Sequence, residues 1–364
     1  LLSSPGLWRH GHGPQHPMKP ERLKRTFELL DMARVLRANN VEVVEPRIAT
    51  EDELALFHTP EYIEITRQLS SGEQNLPAEK YGYGPGDNPV FLGMYDSEAL
   101  KVGSSLQAAQ LLHASQCDVA FSYSGGLHHG GPDFASGFCV FNDCAVAIQW
   151  LLDQGLRVAY VDIDVHHGDG VQNAFYETDR VLTISLHQDG RTLFPGTGFI
   201  NEIGKGDGAG YCVNVPLPPL TFDEAYLRVF REIVPPLVRR FEPEIVVTQL
   251  GVDTHYTDPL ASLALTTDAH QALYQSLDQL APRWLALGGG GYAVELVPRS
   301  WALAFGVMSG QELPKSLPKK YRDKYGGKML RDQQGPDLSD PIRFRVEAAV
   351  DDVIARVKRA HKIN

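Results

Sequence analysis

Several features are scarce in this sequence, and each scarcity closes off a class of protein. The only cysteines are Cys117, Cys139, Cys144 and Cys212, with no Cys-x-x-Cys pair among them. That excludes a disulfide framework and the common zinc-finger spacings, and it fits a reducing cytoplasm. No apolar run reaches ~18 residues, so no membrane span is expected. The opening stretch Leu1–Gly13 lacks the apolar core of a signal peptide. It also begins without Met, so the first residues of the natural chain are expected to be missing. Positive charge is in deficit, with 34 Lys+Arg against 45 Asp+Glu, a net charge of −11 and a pI near 5.6. A nucleic-acid partner is therefore not expected. The acidic surface reads first as solubility charge, although it also suits a basic peptide substrate. Internal repeats, low-complexity tracts and an interdomain linker are absent as well.

What remains is a chain of 364 residues with 43% hydrophobic residues, enough for a continuous core. Short apolar runs suggest strands at 41–45, 119–123, 157–164, 181–187, 245–251 and 284–287. Longer amphipathic patterns between them suggest helices at 21–37, 98–113, 142–154, 222–239 and 268–280. Continuous apolar runs are the mark of strands covered on both faces. The alternation predicts an α/β fold with a mostly parallel sheet between helices, and one domain over 1–364. Residues 314–343, poor in apolar side chains, read as a surface excursion. Val346, Val350, Val353 and Val357 then mark an amphipathic closing helix within 314–364.

The most informative tract is Tyr160-Val161-Asp162-Ile163-Asp164-Val165-His166-His167-Gly168-Asp169-Gly170. Alternate side chains of an extended segment share a face, so Asp162, Asp164 and His166 can converge on one point. Such a cluster is expensive to bury unless it is paired or metal-bound. Asp253, after the run 245–251, offers a third ligand beside Asp164 and His166, which would leave a catalytic cation an open position. Alone, Asp253 would read as a helix N-cap. Gly125-Gly126-Leu127-His128-His129-Gly130-Gly131 places two histidines in a glycine-rich turn, a composition suited to acid–base work near neutral pH. Each imidazole needs an orienting carboxylate, and Asp162 and Asp169 are the unclaimed candidates; a competing, less favoured reading makes the two histidines further metal ligands. Gly288-Gly289-Gly290-Gly291-Tyr292 lacks the G-x-G-x-x-G layout and the P-loop lysine, so it is a poor phosphate loop. Tyr292 reads either as an oxyanion donor or as a packed aromatic. Gly137-Phe138 and Phe194 lie in turn-rich segments, where aromatics either pack in the core or wall an apolar channel.

Together these motifs resemble the histone deacetylase superfamily of zinc-dependent amidohydrolases, in particular bacterial members related to class I enzymes. The resemblance runs from His16-Pro17-Met18-Lys19-Pro20-Glu21-Arg22 to Trp301. It rests on G-G-L-H-H, G-F-C-V-F-N-D, Y-V-D-I-D-V-H-H-G-D-G-V-Q, I-S-L-H, F-P-G-T-G and G-G-G-G-Y. It implies an arginase/deacetylase fold with a central parallel sheet of about eight strands. It also implies zinc, with ferrous iron as the alternative, on Asp164, His166 and Asp253. His128 would pair with Asp162 and His129 with Asp169, while Tyr292 would polarise the substrate carbonyl. Asp87, Gly137, Phe138, Phe194 and Leu260 would contact acetyl-lysine, and Arg22 would line an acetate-release cavity. Potassium would sit on Asp162, Asp164, Ser185 and the backbone of His166 and Leu186. The implied activity is hydrolysis of Nε-acetyl-lysine in a protein or peptide, an acyl-CoA synthetase being one candidate, with hydroxamates as inhibitors. Alternatives are an amidohydrolase for acetylpolyamines or other small acetyl-amides, and a protein that binds acyl-lysine without cleaving it. Gly130-Gly131 departs from the family pattern, in which Ala and a bulkier residue are common, and so implies a looser loop or a wider inner pocket.

Overall fold

The computed structural model describes residues 1–363; Asn364, the last residue of the expected closing segment, lies outside them. Six strands are found among the described residues: β1 (Val119–Ser122), β2 (Val158–Asp162), β3 (Val181–Gln188), β4 (Cys212–Leu217), β5 (Ile245–Gln249) and β6 (Trp284–Leu287). All pair in parallel, in the order β1-β6-β5-β2-β3-β4. Alternate residues of the strands join different apolar clusters. Ala159 and Val161 face one, and Val158 and Tyr160 face the other. This double burial explains why the strands read as continuous apolar runs.

The sheet has fewer strands than the expected eight or so. Val41–Glu45 is not a strand: Val44 makes a single parallel bridge to Leu2, whose N–H donates to the Phe121 carbonyl. Pro46 then offers no N–H to prolong the ladder, and Val43 remains 40% exposed. At the opposite edge, β4 escaped prediction because Asn214 and Pro216 interrupt its apolar run. Proline is tolerated there because an edge strand need donate on one side only. The helix expected over 21–37 ends at Met32, since Arg34 turns left-handed at φ 64 and a 3₁₀ turn, Val35–Arg37, follows. Asn142 caps the helix Asp143–Asp153 by accepting the Ala145 N–H. The closing helix, Asp340–His361, packs on β4 and on the helix Asp223–Phe241.

Strand order places the site. From β2 the chain proceeds outward through β3 and β4, then returns to β5 on the other side of β2. That reversal opens a crevice at the carboxyl ends of β2 and β5, where ligands of open α/β sheets bind. Asp162 is the register partner of both Gln249 on β5 and Ser185 on β3. Side chains that follow β2 and β5 therefore meet directly.

Candidate active site

Asp164 and His166 follow β2 and Asp253 follows β5, and all three are buried. Their ligand atoms lie within 4.8 Å of one another. His166 Nδ1 is 3.1 Å from both Asp164 Oδ1 and Asp253 Oδ2. The remaining carboxylate oxygens are spoken for. Asp164 Oδ2 accepts from the Gly290 N–H at 2.8 Å and Gln249 Nε2 at 2.6 Å, and Asp253 Oδ1 accepts from the Val165 N–H at 2.9 Å. Gly290 has to be glycine, because a Cβ there would overlap both carboxylates. The glycine run thus lets its backbone approach the buried carboxylates closely.

The charges of this trio show what it is built to hold. Burial works against a charge on His166, yet the flanking carboxylates push its pKa up to about 10. Burial and the neighbouring Asp164 drive Asp253 up to about 7. Two carboxylates this close and this dry force one of them towards protonation unless a cation stands between them. The donor set of two oxygens and one nitrogen fits a divalent metal ion and leaves an open position.

Two histidine–carboxylate pairs lie beside it. His128 Nδ1 donates to Asp162 Oδ2 at 2.7 Å, and His129 Nδ1 donates to Asp169 Oδ1 at 2.7 Å. The two Nε2 atoms are 3.1 Å apart, so one of them carries a proton and the other accepts it. Electrostatics chooses which. Burial opposes charge on His128, but Asp162 and Asp164 outweigh it and raise the pKa to about 9. Burial and the neighbouring His128 lower His129 to about 4. A charged His128 donating to a neutral His129 satisfies every ring nitrogen of the pair.

Of the expected channel residues, Gly137, Phe138 and Phe194 gather around His129 and Tyr292. Ser136 and Cys139 bridge across Gly137-Phe138, both of which take positive φ (52 and 69), as a mirror-image hairpin turn requires. This uncommon geometry for phenylalanine puts the Phe138 ring 5.6 Å from that of Tyr292. Phe194, 43% exposed, stands 5.1 Å from the His129 ring. A Cβ on Gly137 would press on both His129 and Phe194. Tyr292 is half-buried with its ring 6.3 Å from that of His166. Asp87 is exposed in its loop, and its carbonyl accepts from His16 Nε2 at 3.1 Å. The half-buried Leu260 donates its N–H to Asp258 Oδ1.

Arg22 lies beneath the glycine run, its Nη1 donating to the carbonyls of Gly289 (2.7 Å) and Gly291 (3.3 Å). Of the expected potassium ligands, Asp162 already serves His128, Tyr160 and the Asp164 N–H, Ser185 Oγ lies 2.8 Å from His187 Nδ1, and the Leu186 carbonyl accepts from Tyr226. The departure at Gly131 has a local cause. A Cβ there would overlap the ring of Phe134, which folds back over the loop.

Three further residues shape the site without having been singled out individually, although Asp143 closes the G-F-C-V-F-N-D motif. Asp143 accepts from the Gly126 and Leu127 N–H groups at 3.0 and 2.8 Å and so shapes the turn that carries His128. Gln249 links Asp164 to the Gly126 carbonyl and the Gly251 N–H. Asp258 accepts from the Tyr292 N–H at 2.7 Å.

A parallel α/β sheet whose carboxyl end buries a trio able to hold a cation, beside paired histidines, has the makeup of a metal-dependent hydrolase. Residues 16–308 match the family model described as the histone deacetylase domain, and the chain belongs to that family. It is 40% identical over 362 residues to acetoin utilization protein AcuC of Bacillus subtilis, covering 95% of this chain and 92% of that one. It is 41% identical over 315 residues to histone deacetylase 9 of Arabidopsis thaliana, covering 86% of this chain and 74% of that one. Among solved structures it resembles an HDAC homolog complexed with SAHA, with a TM-score of 0.88 and 31% identity over 97% of this chain and 98% of that one. Membership in this metal-dependent family makes the protein a deacetylase. No helix among the described residues is long and apolar enough to cross a membrane.

Proposed function

We propose that this protein is a zinc-dependent lysine deacetylase, accepting ferrous iron as an alternative, that hydrolyses Nε-acetyl-lysine in a protein or peptide to lysine and acetate. The observation that carries the reading is the approach of two carboxylate-anchored imidazoles, Nε2 to Nε2 at 3.1 Å, beside the Asp164–His166–Asp253 trio.

Asp164, His166 and Asp253 would hold the metal. When bound, it supplies Lewis-acid polarisation and makes water a better nucleophile. His129 accepts the proton of the attacking water at Nε2, since its Nδ1 is committed to Asp169. His128, charged beside Asp162, donates to His129 Nε2 in the resting site and gives up that hydrogen bond when the water takes its place. Tyr292 donates its phenol O–H to the developing oxyanion. His129 then delivers its proton to the leaving lysine nitrogen as the C–N bond breaks. Phe138 and Phe194 line the alkyl stem of the acetyl-lysine, with Gly137 between them and Leu260 nearby. Asp87 at the rim accepts from the substrate backbone, and Arg22 serves the departing acetate. Potassium is held by Asp162, Asp164, Ser185 and the backbone of His166 and Leu186. The chain acts as one catalytic domain in the cytoplasm, its substrate an acetylated metabolic enzyme such as an acyl-CoA synthetase, and hydroxamates inhibit it.

The test is metal analysis coupled to deacetylation of an acetyl-lysine peptide, beside free acetylpolyamine. Turnover should follow metal content, vanish with a chelator or a hydroxamate, and favour the peptide. A fully zinc-loaded protein inert on acetyl-lysine peptides would sink the proposal.

A further inference from the structure

The excursion 314–343 looks dispensable in composition, yet it sends one half-buried carboxylate towards the loop that follows Asp253. Asp332, its side chain 9% exposed, accepts from His255 Nε2 at 2.7 Å, from the Thr267 N–H at 2.9 Å and from Arg299 Nη2 at 2.9 Å. Its own N–H donates to Thr267 Oγ1 at 2.8 Å. His255 Nδ1 accepts the Thr257 N–H, so the ring proton lies on Nε2 and points at Asp332. Burial opposes the charge on Asp332, but these donors outweigh it and hold the carboxyl below the usual carboxylate range.

The four bonds join segments that flank Tyr292. His255 belongs to the loop that begins with Asp253. Its carbonyl accepts the Asp258 N–H at 2.9 Å, and Asp258 in turn accepts the Tyr292 N–H at 2.7 Å. Arg299 sits on the helix Val297–Ser309, which directly follows the glycine–tyrosine run. One carboxylate thus ties the loop before Tyr292 to the helix after it. Removing it would leave the His255 proton and the Arg299 charge without their acceptor in a nearly dry setting.

We propose that Asp332 is a positioning residue for the reaction: from the excursion it fixes the Asp253–Asp258 loop against the Arg299 helix and so sets where the Tyr292 phenol meets the acyl carbonyl. The proposal rests on the oxyanion role given to Tyr292 above. An interaction made only in the transition state lowers kcat and leaves KM little changed when it is lost. Misplacement by a fraction of an ångström to an ångström commonly costs ~10- to 100-fold.

The experiment is a double-mutant cycle on the metal-loaded full chain, comparing wild type, Asp332→Ala, Tyr292→Phe and the double variant. Asp332→Ala should lower kcat by about 10- to 100-fold with KM little changed. In the Tyr292→Phe background it should lower kcat no further, because the group it positions is gone. Asp332→Asn, which keeps an acceptor but loses the charge, should fall between, and it carries the same cycle if the alanine variant does not fold. Lys324→Met breaks the 2.6 Å tie from the same excursion to Glu28 and should leave kcat unchanged. Equal losses from Asp332→Ala in both backgrounds would overturn the proposal, as would a matching loss in Lys324→Met. Full turnover by Asp332→Ala alongside an impaired Tyr292→Phe overturns the clamp alone. Full turnover by Tyr292→Phe overturns the role of the phenol and the clamp with it.

Discussion

The body of the sheet and its carboxyl end are equally dry and behave in opposite ways. Val158 and Val161 are fully buried in β2, and so are Asp162 and Asp164 at and beyond its end. In the body, the neighbours are other apolar side chains, and any well-fitting hydrocarbon satisfies them. At the carboxyl end, each buried group depends on one particular partner from a distant segment. Two buried histidines make the contrast sharp. His58 accepts the Asn142 N–H at 2.9 Å, and burial lowers its pKa to about 3. His128, buried just as deeply, has the Asp162 carboxylate instead and rises to about 9. Depth alone does not decide charge; the partner does.

The contrast is broken if changes at the two places have the same consequence. The largest effect is expected at the carboxyl end. Tyr292→Phe should cut turnover by roughly 10²–10³ while leaving metal content and Tm near wild type. Equal turnover in the variant, measured on an acetyl-lysine peptide, would remove the phenol from the chemistry. In the body, Ile184→Ala should cost ~2–5 kcal/mol of stability through lost contacts and a cavity. Its kcat per folded molecule should stay unchanged, as denaturant unfolding read beside turnover would reveal. A large kcat loss there would mean that body and site are not separable.

The smallest effect concerns pH. His58 and His270 both have folded pKa values lowered to about 3, burial being the leading cause. Their unfolded value is near 6.5, so unfolding takes up protons below that pH. The stability they contribute is complete above about pH 6.5 and is lost as pH falls towards 3. The loss for each should be on the order of 2 kcal/mol by about pH 5. Thermal unfolding should therefore weaken well before carboxylates titrate, and a Tm flat from neutral pH to about 4 would contradict this.

Some of this was legible along the chain. Asp164 and His166 were legible as a pair beside a strand end, but β2 stops at Asp162 instead of running on to Asp164, and Asp162 turns to His128 instead of joining them. Five of the six strands, all but β4, announced themselves by their apolar runs. Val41–Glu45 misled because its apolar residues suggested a strand, whereas only Val44 finds a ladder partner and Val43 stays exposed. β4 was missed because Pro216 reads as a breaker unless one knows that it lies on an edge. Gln249, Asp258 and Asp332 gave no advance notice, since a lone polar residue in a strand or loop looks like any cap or solvated side chain, and Asp143 was legible only as the end of a motif, not by its role. Their partners are remote in sequence, and no spacing rule connects Asp332 to His255.

By itself, then, the sequence determined which residues can bind a cation or move a proton, and on which face of each strand they stand, because both follow from side-chain chemistry and the twofold repeat of extended backbone. The ligand set with Asp253 and the pairings of His128 with Asp162 and His129 with Asp169 were implied by resemblance alone; the tertiary structure is what brings those side chains together, and only it decided that the excursion reaches the tyrosine loop. Those choices depend on the order of strands across the sheet and on where the crossovers return. Such distances are set by packing between segments far apart in the chain.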